Sequence, residues 1–393
     1  MSHPDVIALA TMILRRCVVI CLAASTFTEA FRLFTVVNDR GLQLRRVDII
    51  KSNCLAPEVI FDDAIRAHYA AKWESIEDQV GPSTFEDIFH SLRLIYTQDK
   101  PKEDLLGEFE HRVFGQPKKP KKGTNFIDTL GKYVDLYDAL FIAKDFLDGT
   151  EQSAKFTTMM SAMVDHFAAS EWRAAVLEFA SKFGKKDLYK FLLKLEKIYL
   201  LDWVSVVRKD ERYEKYTNLL KLISLSKTGT PVIESLKVDL EPIRKGCRST
   251  NFYGAGYAKY LLLRAEIISS ELTEPRKFAI RSVEHVLPQN PATGSQWRSN
   301  FTQEQIDALV HTSGNLVLLS KSKNSSAQNK DFDQKKLSYL KPRVTDFPRS
   351  VQVLSEKNWT RQHREKNEDL RGYGAQRSVI LSLANAHVIS PTL

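Results

Sequence analysis

The feature that most constrains this chain is a long stretch, from Asp62 to about Ser270, in which apolar side chains recur at helical spacing. No fixed repeat period is evident in it. The clearest helical segments are Phe85 to Tyr96, Phe126 to Phe146, Tyr189 to Val207, Tyr213 to Leu225 and a last one near Tyr253 to Leu272. We therefore predict a long helical middle region at residues 61–274.

The residues before this stretch indicate an α/β fragment at residues 1–60. Cys17 to Leu22 is apolar and predicts a buried strand that follows a helix. Thr26 and Glu29 have the spacing of a capping box, which begins an amphipathic helix. A second short helix is predicted from Arg45 through Asn53.

The pattern changes near residue 274, where we place a domain boundary. The segment that begins at Phe278 reads as a strand and is halted by Pro288, because proline removes a ladder hydrogen bond. Gly314 to Leu319 predicts a second strand, and helix returns from about Ala327 to Leu340. The fold class is therefore α+β and mostly helical, with a C-terminal domain at residues 275–375 and a tail at residues 376–393.

Basic charge is concentrated in the same C-terminal part. Residues 275–393 hold eighteen Lys and Arg against ten Asp and Glu, so +8 of the chain's net charge of +9 lies there. A basic region attached to a nearly neutral one favours a polyanionic partner, most often nucleic acid. The proportions of charged residues (27%) and apolar residues (43%) exclude wholly disordered and collagen-like classes.

An apolar segment near the start of the chain, Val6 to Ala24, does not predict a membrane span. Arg15 and Arg16 divide it into runs that are too short to cross a bilayer. The four cysteines show no CxxC pair and no spacing typical of a zinc site or a disulfide framework. A reducing, cytoplasmic setting without a membrane partner is the simplest interpretation.

Polar residues suited to chemistry stand where the predicted strands, loop and helix of the C-terminal part meet. They are Glu284, His285, His311, Asn315 and Asn324. Adjacent residues on a regular strand face opposite ways. Glu284 and His285 can therefore share one site only if the chain leaves the strand there, which Pro288 permits.

The chemistry that this set can support is phosphodiester hydrolysis, which needs a base for water, a cation for the phosphoryl oxygens and donors that fix the substrate. His285 is the natural base because an imidazole titrates near neutral pH. Glu284 and Asn324 offer hard oxygens, which suit Mg²⁺ or Mn²⁺ better than zinc. Since only one carboxylate is offered, we expect one divalent cation that binds weakly without substrate.

These residues resemble the C-terminal nuclease domain of GmrSD-type modification-dependent restriction systems, which are HNH or His-Me finger nucleases. The resemblance runs through Val283 to Gln289, Trp297, His311, Gly314 to Leu316, Asn324 to Ser326, Asn329, Phe332, Lys335 and Lys336. It implies a ββα-metal fold for the C-terminal domain. The family's arginine and leucine between His311 and Gly314 are Thr312 and Ser313 here, which affects the packing of that loop.

The resemblance also implies roles for individual residues. His285 would be the general base, and Glu284 and Asn324 would bind one Mg²⁺ or Mn²⁺. Asn315 would orient the histidine or brace the loop, and His311 would donate to the substrate or be an ordinary loop residue. The lysines expected to approach nucleic acid are Lys323, Lys330, Lys335 and Lys336, although Lys335 and Lys336 equally fit a solvated helix face.

The function that follows is metal-dependent cleavage of DNA in the cytoplasm of a bacterium, in restriction of modified phage DNA. Two other functions fit the same residues. A non-catalytic DNA-binding or partner subunit would carry a vestigial site, which the retained Glu284, His285 and Asn324 disfavour. An RNA-cleaving toxin nuclease would use the same catalytic residues.

The front of the chain carries a second resemblance. Phe31 to Lys51 is similar to the closing motif of the ParB-like nucleotide-handling domain that precedes the nuclease in GmrSD-type proteins. Its candidate remnant of a nucleotide site is Asn38, Arg40, Asp48 and Lys51, and the alternative is that Asp48 and Arg40 tie two helices together. No Asp-Gly-Gln-Gln-Arg-like motif precedes Thr26, so we expect a truncated fragment. The missing half would lie on a separate chain, or the gene is decayed, and nucleotide hydrolysis by this polypeptide alone is not expected.

Overall fold

The computed structural model describes residues 3–17, 45–280, 282–320, 329–339 and 347–360. Helices dominate this part of the chain, and a short antiparallel pair of strands lies in its C-terminal part. The mostly helical α+β class is therefore confirmed. The predicted helix that begins near Thr26 lies outside the described residues, as does the predicted strand after Cys17.

Each predicted helical segment of the middle region overlaps a helix, and the structure contains further helices between these segments. The helices up to residue 268 are α1 (His3–Arg16), α2 (Arg46–Cys54), α3 (Asp63–Val80), α4 (Pro82–Thr97), α5 (Leu105–Gly107), α6 (Thr124–Tyr137), α7 (Ser153–His166), α8 (Glu171–Phe183), α9 (Leu188–Val204), α10 (Lys209–Leu225), α11 (Gly229–Ser235), α12 (Glu241–Cys247) and α13 (Ala258–Ile268). Two π-helical segments, Glu108–Val113 and Asp138–Ile142, continue α5 and α6, and a 3₁₀ turn, Phe252–Gly254, precedes α13.

The C-terminal part alternates short strands and helices. Its elements are β1 (Ser282–His285), α14 (Gln296–Asn300), α15 (Gln303–Leu309), a 3₁₀ turn (Ser313–Asn315), β2 (Leu316–Leu319), α16 (Phe332–Tyr339) and α17 (Pro348–Ser355). The first strand is shorter than the predicted one, which begins at Phe278. β2 ends at Leu319, and Leu319 pairs with Ser282, so β2 has no residue left to pair with those before Ser282. Phe278 packs against the core without joining the ladder.

Gly81 joins α3 to α4 and shows why these helices end where they do. Its φ of 79° lies in the left-handed region, which favours glycine. Its amide donates to the carbonyl of Glu77 and closes α3, while Pro82 begins α4 at a position where no amide hydrogen is needed. Asp62 caps the other end of α3, since its carboxylate accepts from the amide of Ile65.

An aromatic cluster forms the front of the helical core. Trp73, Phe85, Phe89, Phe109 and Phe126 are fully buried, and their neighbouring ring centroids lie 5.3–6.3 Å apart. They come from α3, α4, the first π-helical segment and α6. Burial of each ring contributes about 1.5–3 kcal/mol, so this cluster holds four elements together.

A buried polar network joins α9 to α13 in the same core. The Glu196 Oε1 atom accepts hydrogen bonds from the Tyr260 hydroxyl and the Arg264 Nε atom, both at 2.6 Å. Burial alone lowers the pKa of Arg264, but the Glu196 carboxylate raises it above its ordinary value. Since α13 also packs on β2, this pair fixes the helix that supports the sheet.

The two strands lie between two cores. Leu316 and Leu318 of β2 belong to the large helical core, whereas Val317 belongs to a smaller core with Trp297 and Phe332. The predicted boundary near residue 274 stays a prediction, and the large core extends across it. Ser350 of α17 also contacts β2, since its hydroxyl accepts a hydrogen bond from the amide of Leu318.

The first helix differs from the rest in its surroundings. The side chains of α1 from Asp5 to Arg16 are exposed, including the apolar side chains Val6, Ile7, Leu9, Met12, Ile13 and Leu14. Among the residues that the structure describes, no helix is both long and apolar enough to span a membrane.

We predict that Arg264→Met destabilises the helical region by about 3–5 kcal/mol, because it leaves the Glu196 carboxylate buried without its ionic partner. Urea unfolding followed by far-ultraviolet circular dichroism measures the change. Arg208→Met is the matched control, since Arg208 forms an exposed pair with Glu211 and its loss should change stability by less than about 0.5 kcal/mol. Equal stabilities of the two variants would contradict the prediction.

Candidate active site

The site lies where β1 ends and β2 begins. The register pairs His285 with Leu316, so the residues after β1 and before β2 are held side by side. The amide of Val286 donates to the carbonyl of Asn315 at 2.9 Å, which continues the pairing past the end of β1. His285 is 5% exposed and stands at this end of the ladder.

Asn315 is fully buried and braces the loops on either side of it. Its side-chain oxygen accepts from the amide of Leu287 at 2.7 Å. Its side-chain nitrogen donates to the carbonyls of Leu287 and Val310, each at 2.9 Å. Of the two roles implied for Asn315, bracing is the one that these contacts support.

Two histidines meet at the end of the ladder. The Nε2 atom of His285 lies 3.2 Å from the Nδ1 atom of His311, within hydrogen-bond distance. Gln289 lies slightly farther away, with its Nε2 atom 3.4 Å from both ring nitrogens of His285. The structure therefore brings His311 to His285.

Tyr253 is a site residue that the sequence did not reveal. Its ring centroid lies 4.4 Å from that of His285, and it stacks on His311 at 5.7 Å. Its amide donates to the carbonyl of His311 at 2.9 Å, and the side chain is 43% exposed. Tyr253 belongs to the 3₁₀ turn before α13, and no local spacing connects that turn to the histidines.

Glu284 forms a buried ion pair with Lys335 of α16. The Lys335 Nζ atom lies 3.1 Å from the Glu284 Oε1 atom and donates to the carbonyl of His285 at 2.6 Å. Both residues are 1% exposed. The Lys335 ammonium thus contacts both the carboxylate of Glu284 and the main-chain carbonyl of His285.

The other predicted nucleic-acid contacts have varied positions. Lys336 is mostly buried, and its ammonium pairs with Asp333 and donates to the carbonyls of Glu356 and Lys357. Lys330 is half-buried, and its carbonyl accepts from the Trp297 indole at 3.0 Å. Lys323 and the predicted metal ligand Asn324 lie outside the described residues.

The candidate nucleotide remnant is only partly within the described residues. Asp48 pairs with Arg45 at 2.7 Å, and Arg45 also pairs with Glu77 of α3. Lys51 pairs with Glu74 at 3.1 Å. These contacts tie α2 to α3, while Asn38 and Arg40 lie outside the described residues.

The described side chains do not fit a divalent cation in this arrangement. Within the described ranges, no three His, Cys, Asp or Glu residues lie together in a group that could hold a metal ion. The Glu284 carboxylate has the hard oxygens that Mg²⁺ and Mn²⁺ prefer. However, a cation bound to it would lie beside the ammonium of Lys335, and like charges repel strongly in a buried site.

A comparison with protein families matches residues 237–370 to the C-terminal domain of GmrSD restriction endonucleases. The match covers about a third of the chain and contains the histidine pair, Asn315, the Glu284–Lys335 pair and Tyr253. It confirms the resemblance predicted from the sequence and indicates a restriction endonuclease role. A search of curated proteins found no match.

We predict that Asn315→Ala lowers stability by about 2–4 kcal/mol, because it leaves one buried amide and two buried carbonyls without partners. Thermal and urea unfolding measure the loss. Asn218→Ala, on the exposed surface of α10, is the control and should change stability by less than about 0.5 kcal/mol. If Asn315→Ala is as stable as this control, Asn315 does not brace the loops.

Proposed function

We propose, from the match of residues 237–370 with the C-terminal domain of GmrSD restriction endonucleases, that this chain is a DNA endonuclease that hydrolyses phosphodiester bonds. The observation that carries the proposal is the placement of His285, which is held between His311 and Tyr253 at the end of the β1–β2 ladder. The contact of His285 with a second histidine and with the exposed Tyr253 supports a role for it towards a substrate.

In this proposal His285 is the general base. With its Nε2 hydrogen donated to the Nδ1 atom of His311, His285 takes a proton from water at its own Nδ1 atom. The water oxygen then bonds to phosphorus, and the bond from phosphorus to the leaving oxygen breaks. The hydrogen bond to His311 stabilises the imidazolium that forms.

Tyr253 and Asn315 position the two histidines. The tyrosine ring packs on both imidazoles, which limits the orientations available to them. Asn315 fixes the main chain at Leu287 and Val310, which lie close along the chain to His285 and His311. Catalysis benefits because a misplacement of about 1 Å can cost about 100-fold in rate.

One divalent cation, Mg²⁺ or Mn²⁺, belongs to the proposal through Glu284 and Asn324. When bound it would offset the charge on the phosphoryl oxygens. In the structure the Glu284 carboxylate is paired with the Lys335 ammonium. The HNH or ββα-metal identity of the domain is part of the same proposal.

The substrate proposed is modified foreign DNA, such as phage DNA, in the cytoplasm of a bacterium. The concentration of basic charge in residues 275–393 supports a nucleic-acid substrate.

We predict that His285→Ala lowers the rate of DNA cleavage by about 10²–10⁴-fold, the usual cost of losing a positioned base. The assay follows nicking of supercoiled plasmid with Mg²⁺ or Mn²⁺ and with a chelator, beside modified phage DNA and structured RNA. His68→Ala on the exposed face of α3 is the control and should cut at the wild-type rate. Wild-type cleavage by His285→Ala with normal DNA binding would show that the base is another residue, and cleavage of RNA alone would indicate the toxin function.

We also predict that Tyr253→Leu lowers kcat by about tenfold or more without raising KM, because the ring that orients both histidines is lost. Tyr253→Phe keeps the ring and should retain most of the activity. Steady-state cleavage of an oligonucleotide duplex gives both constants. Equal kcat values for the two variants would show that the ring does not position the histidines.

A further inference from the structure

We propose that Lys335 and Glu284 are positioning residues, which fix the peptide group that follows His285, the proposed base. We call the peptide group between His285 and Val286, together with the hydrogen bonds at its two ends, the peptide clamp. The inference rests on the proposed function and deepens it, because it assigns to two buried side chains the task of orienting the base.

The clamp holds this peptide group from two opposite sides. On one side, the amide of Val286 donates to the main-chain carbonyl of Asn315 at 2.9 Å. The C=O and N–H groups of a trans peptide point in opposite directions, so the carbonyl of His285 points away from β2. β2 therefore cannot supply a donor for this carbonyl, and the Lys335 ammonium of α16 donates to it instead, at 2.6 Å.

The clamp acts on the imidazole because the α-carbon of His285 belongs to the clamped peptide group. The six atoms of a peptide group, from one α-carbon to the next, lie close to one plane. Since this plane is held at both its N–H and its C=O ends, the α-carbon that carries the imidazole is held with it. The imidazole then keeps its contacts with His311 and Tyr253.

The two faces of the ladder show why Glu284 contributes through Lys335. The register pairs Glu284 with Val317, which enters the small C-terminal core. It pairs His285 with Leu316, which enters the helical core. Because directly paired residues share a face and successive residues alternate, Glu284 lies on the face opposite to the imidazole. Its carboxylate reaches the base from that face, by way of the lysine.

Burial limits what Lys335 can contact. Glu284 and Lys335 are each 1% exposed, and the Lys335 Nζ atom lies 3.1 Å from the Glu284 Oε1 atom. The carboxylate thus keeps the ammonium beside the carbonyl of His285. Lys335 does not reach the surface, so an effect of this residue on cleavage passes through the main chain of the base.

The first test is steady-state cleavage of an oligonucleotide duplex by the full chain. Lys335→Met should lower kcat by about tenfold or more, since a misplacement of about 1 Å can cost about 100-fold in rate. KM should not rise, because the buried lysine does not touch the substrate. A wild-type kcat for Lys335→Met would overturn the clamp.

The matched control is Lys215→Met, which also breaks a pair with a buried carboxylate. Lys215 pairs with Asp202, and its helix α10 packs on α4, α8 and α11 of the helical region. Lys215→Met should lower the thermal midpoint, because a buried carboxylate loses its ionic partner. It should keep the wild-type kcat below that midpoint, and an equal fall of kcat in both variants would overturn the clamp.

A double variant separates positioning from stability. Glu284→Leu with Lys335→Met replaces the buried pair with apolar side chains, a change that is often neutral or stabilising. Its thermal midpoint should return most of the way to the wild-type value, while kcat stays low because the carbonyl of His285 still lacks the ammonium. Recovery of kcat together with the thermal midpoint would show that Lys335 contributes stability alone, and the clamp would be wrong.

A further measurement does not depend on cleavage. Nuclear magnetic resonance of the full chain, labelled with ¹³C on histidine, reports the ring signals of His285 and His311. Their loss in His285→Ala and His311→Ala assigns them. Lys335→Met should shift or broaden the His285 signals, whereas Lys215→Met should leave them at their wild-type positions. Unchanged His285 signals in Lys335→Met would overturn the clamp.

Failure of the clamp and failure of the nuclease proposal give different results. Altered His285 signals in Lys335→Met, in a chain that cuts no nucleic acid, support the clamp and contradict the nuclease. Cleavage by the wild type together with a wild-type kcat for Lys335→Met supports the nuclease and overturns the clamp.

Discussion

The pairing of β1 with β2 is the constraint on which the site depends. Every side chain of β2 is buried, although the strand has only four residues. Because successive side chains of a strand point to opposite faces, Leu316 and Leu318 enter the helical core while Val317 enters the small C-terminal core. A shift of the register by one residue would exchange these faces and move His285 away from the end of the ladder. Packing on two sides therefore fixes the position of His285 and of the turn that follows it.

Three separate parts of the chain meet around His285. Its own strand positions its main chain, Asn315 holds the loops that lead to Leu287 and Val310, and Tyr253 reaches it from the turn before α13. Since α13 is tied to α9 through Arg264 and Glu196, the helical region contributes to the geometry of the site and is more than a neighbouring support. The family match, which begins at residue 237, includes this turn and helix.

The sequence predicted the parts of this structure that depend on local patterns. Helical spacing located the helices of the middle region, and the short strands followed from apolar runs bounded by Pro288 and Gly314. The sequence placed His285 and His311 beside the predicted strands, but it did not predict the contact between their rings. By contrast, the contacts of Tyr253 join residues far apart along the chain, and no periodicity reports such contacts. Lys335 and Lys336 are adjacent on a short helix, so their side chains point in directions about 100° apart. The sequence therefore indicated that the two lysines differ in direction, but it did not show which of them points inward.

The Glu284–Lys335 pair needs an explanation other than stability. Replacing a buried ion pair with apolar side chains of similar volume is often neutral or stabilising, because the desolvation of two charges offsets most of their attraction. The small C-terminal core beside α16 is apolar and contains Trp297, Phe332 and Trp359. The pair instead lies in direct contact with the main chain of the proposed base, through the carbonyl of His285. A charge pair that is expensive to bury is better explained by its hold on the main chain of His285, the proposed base, than by the packing of the domain.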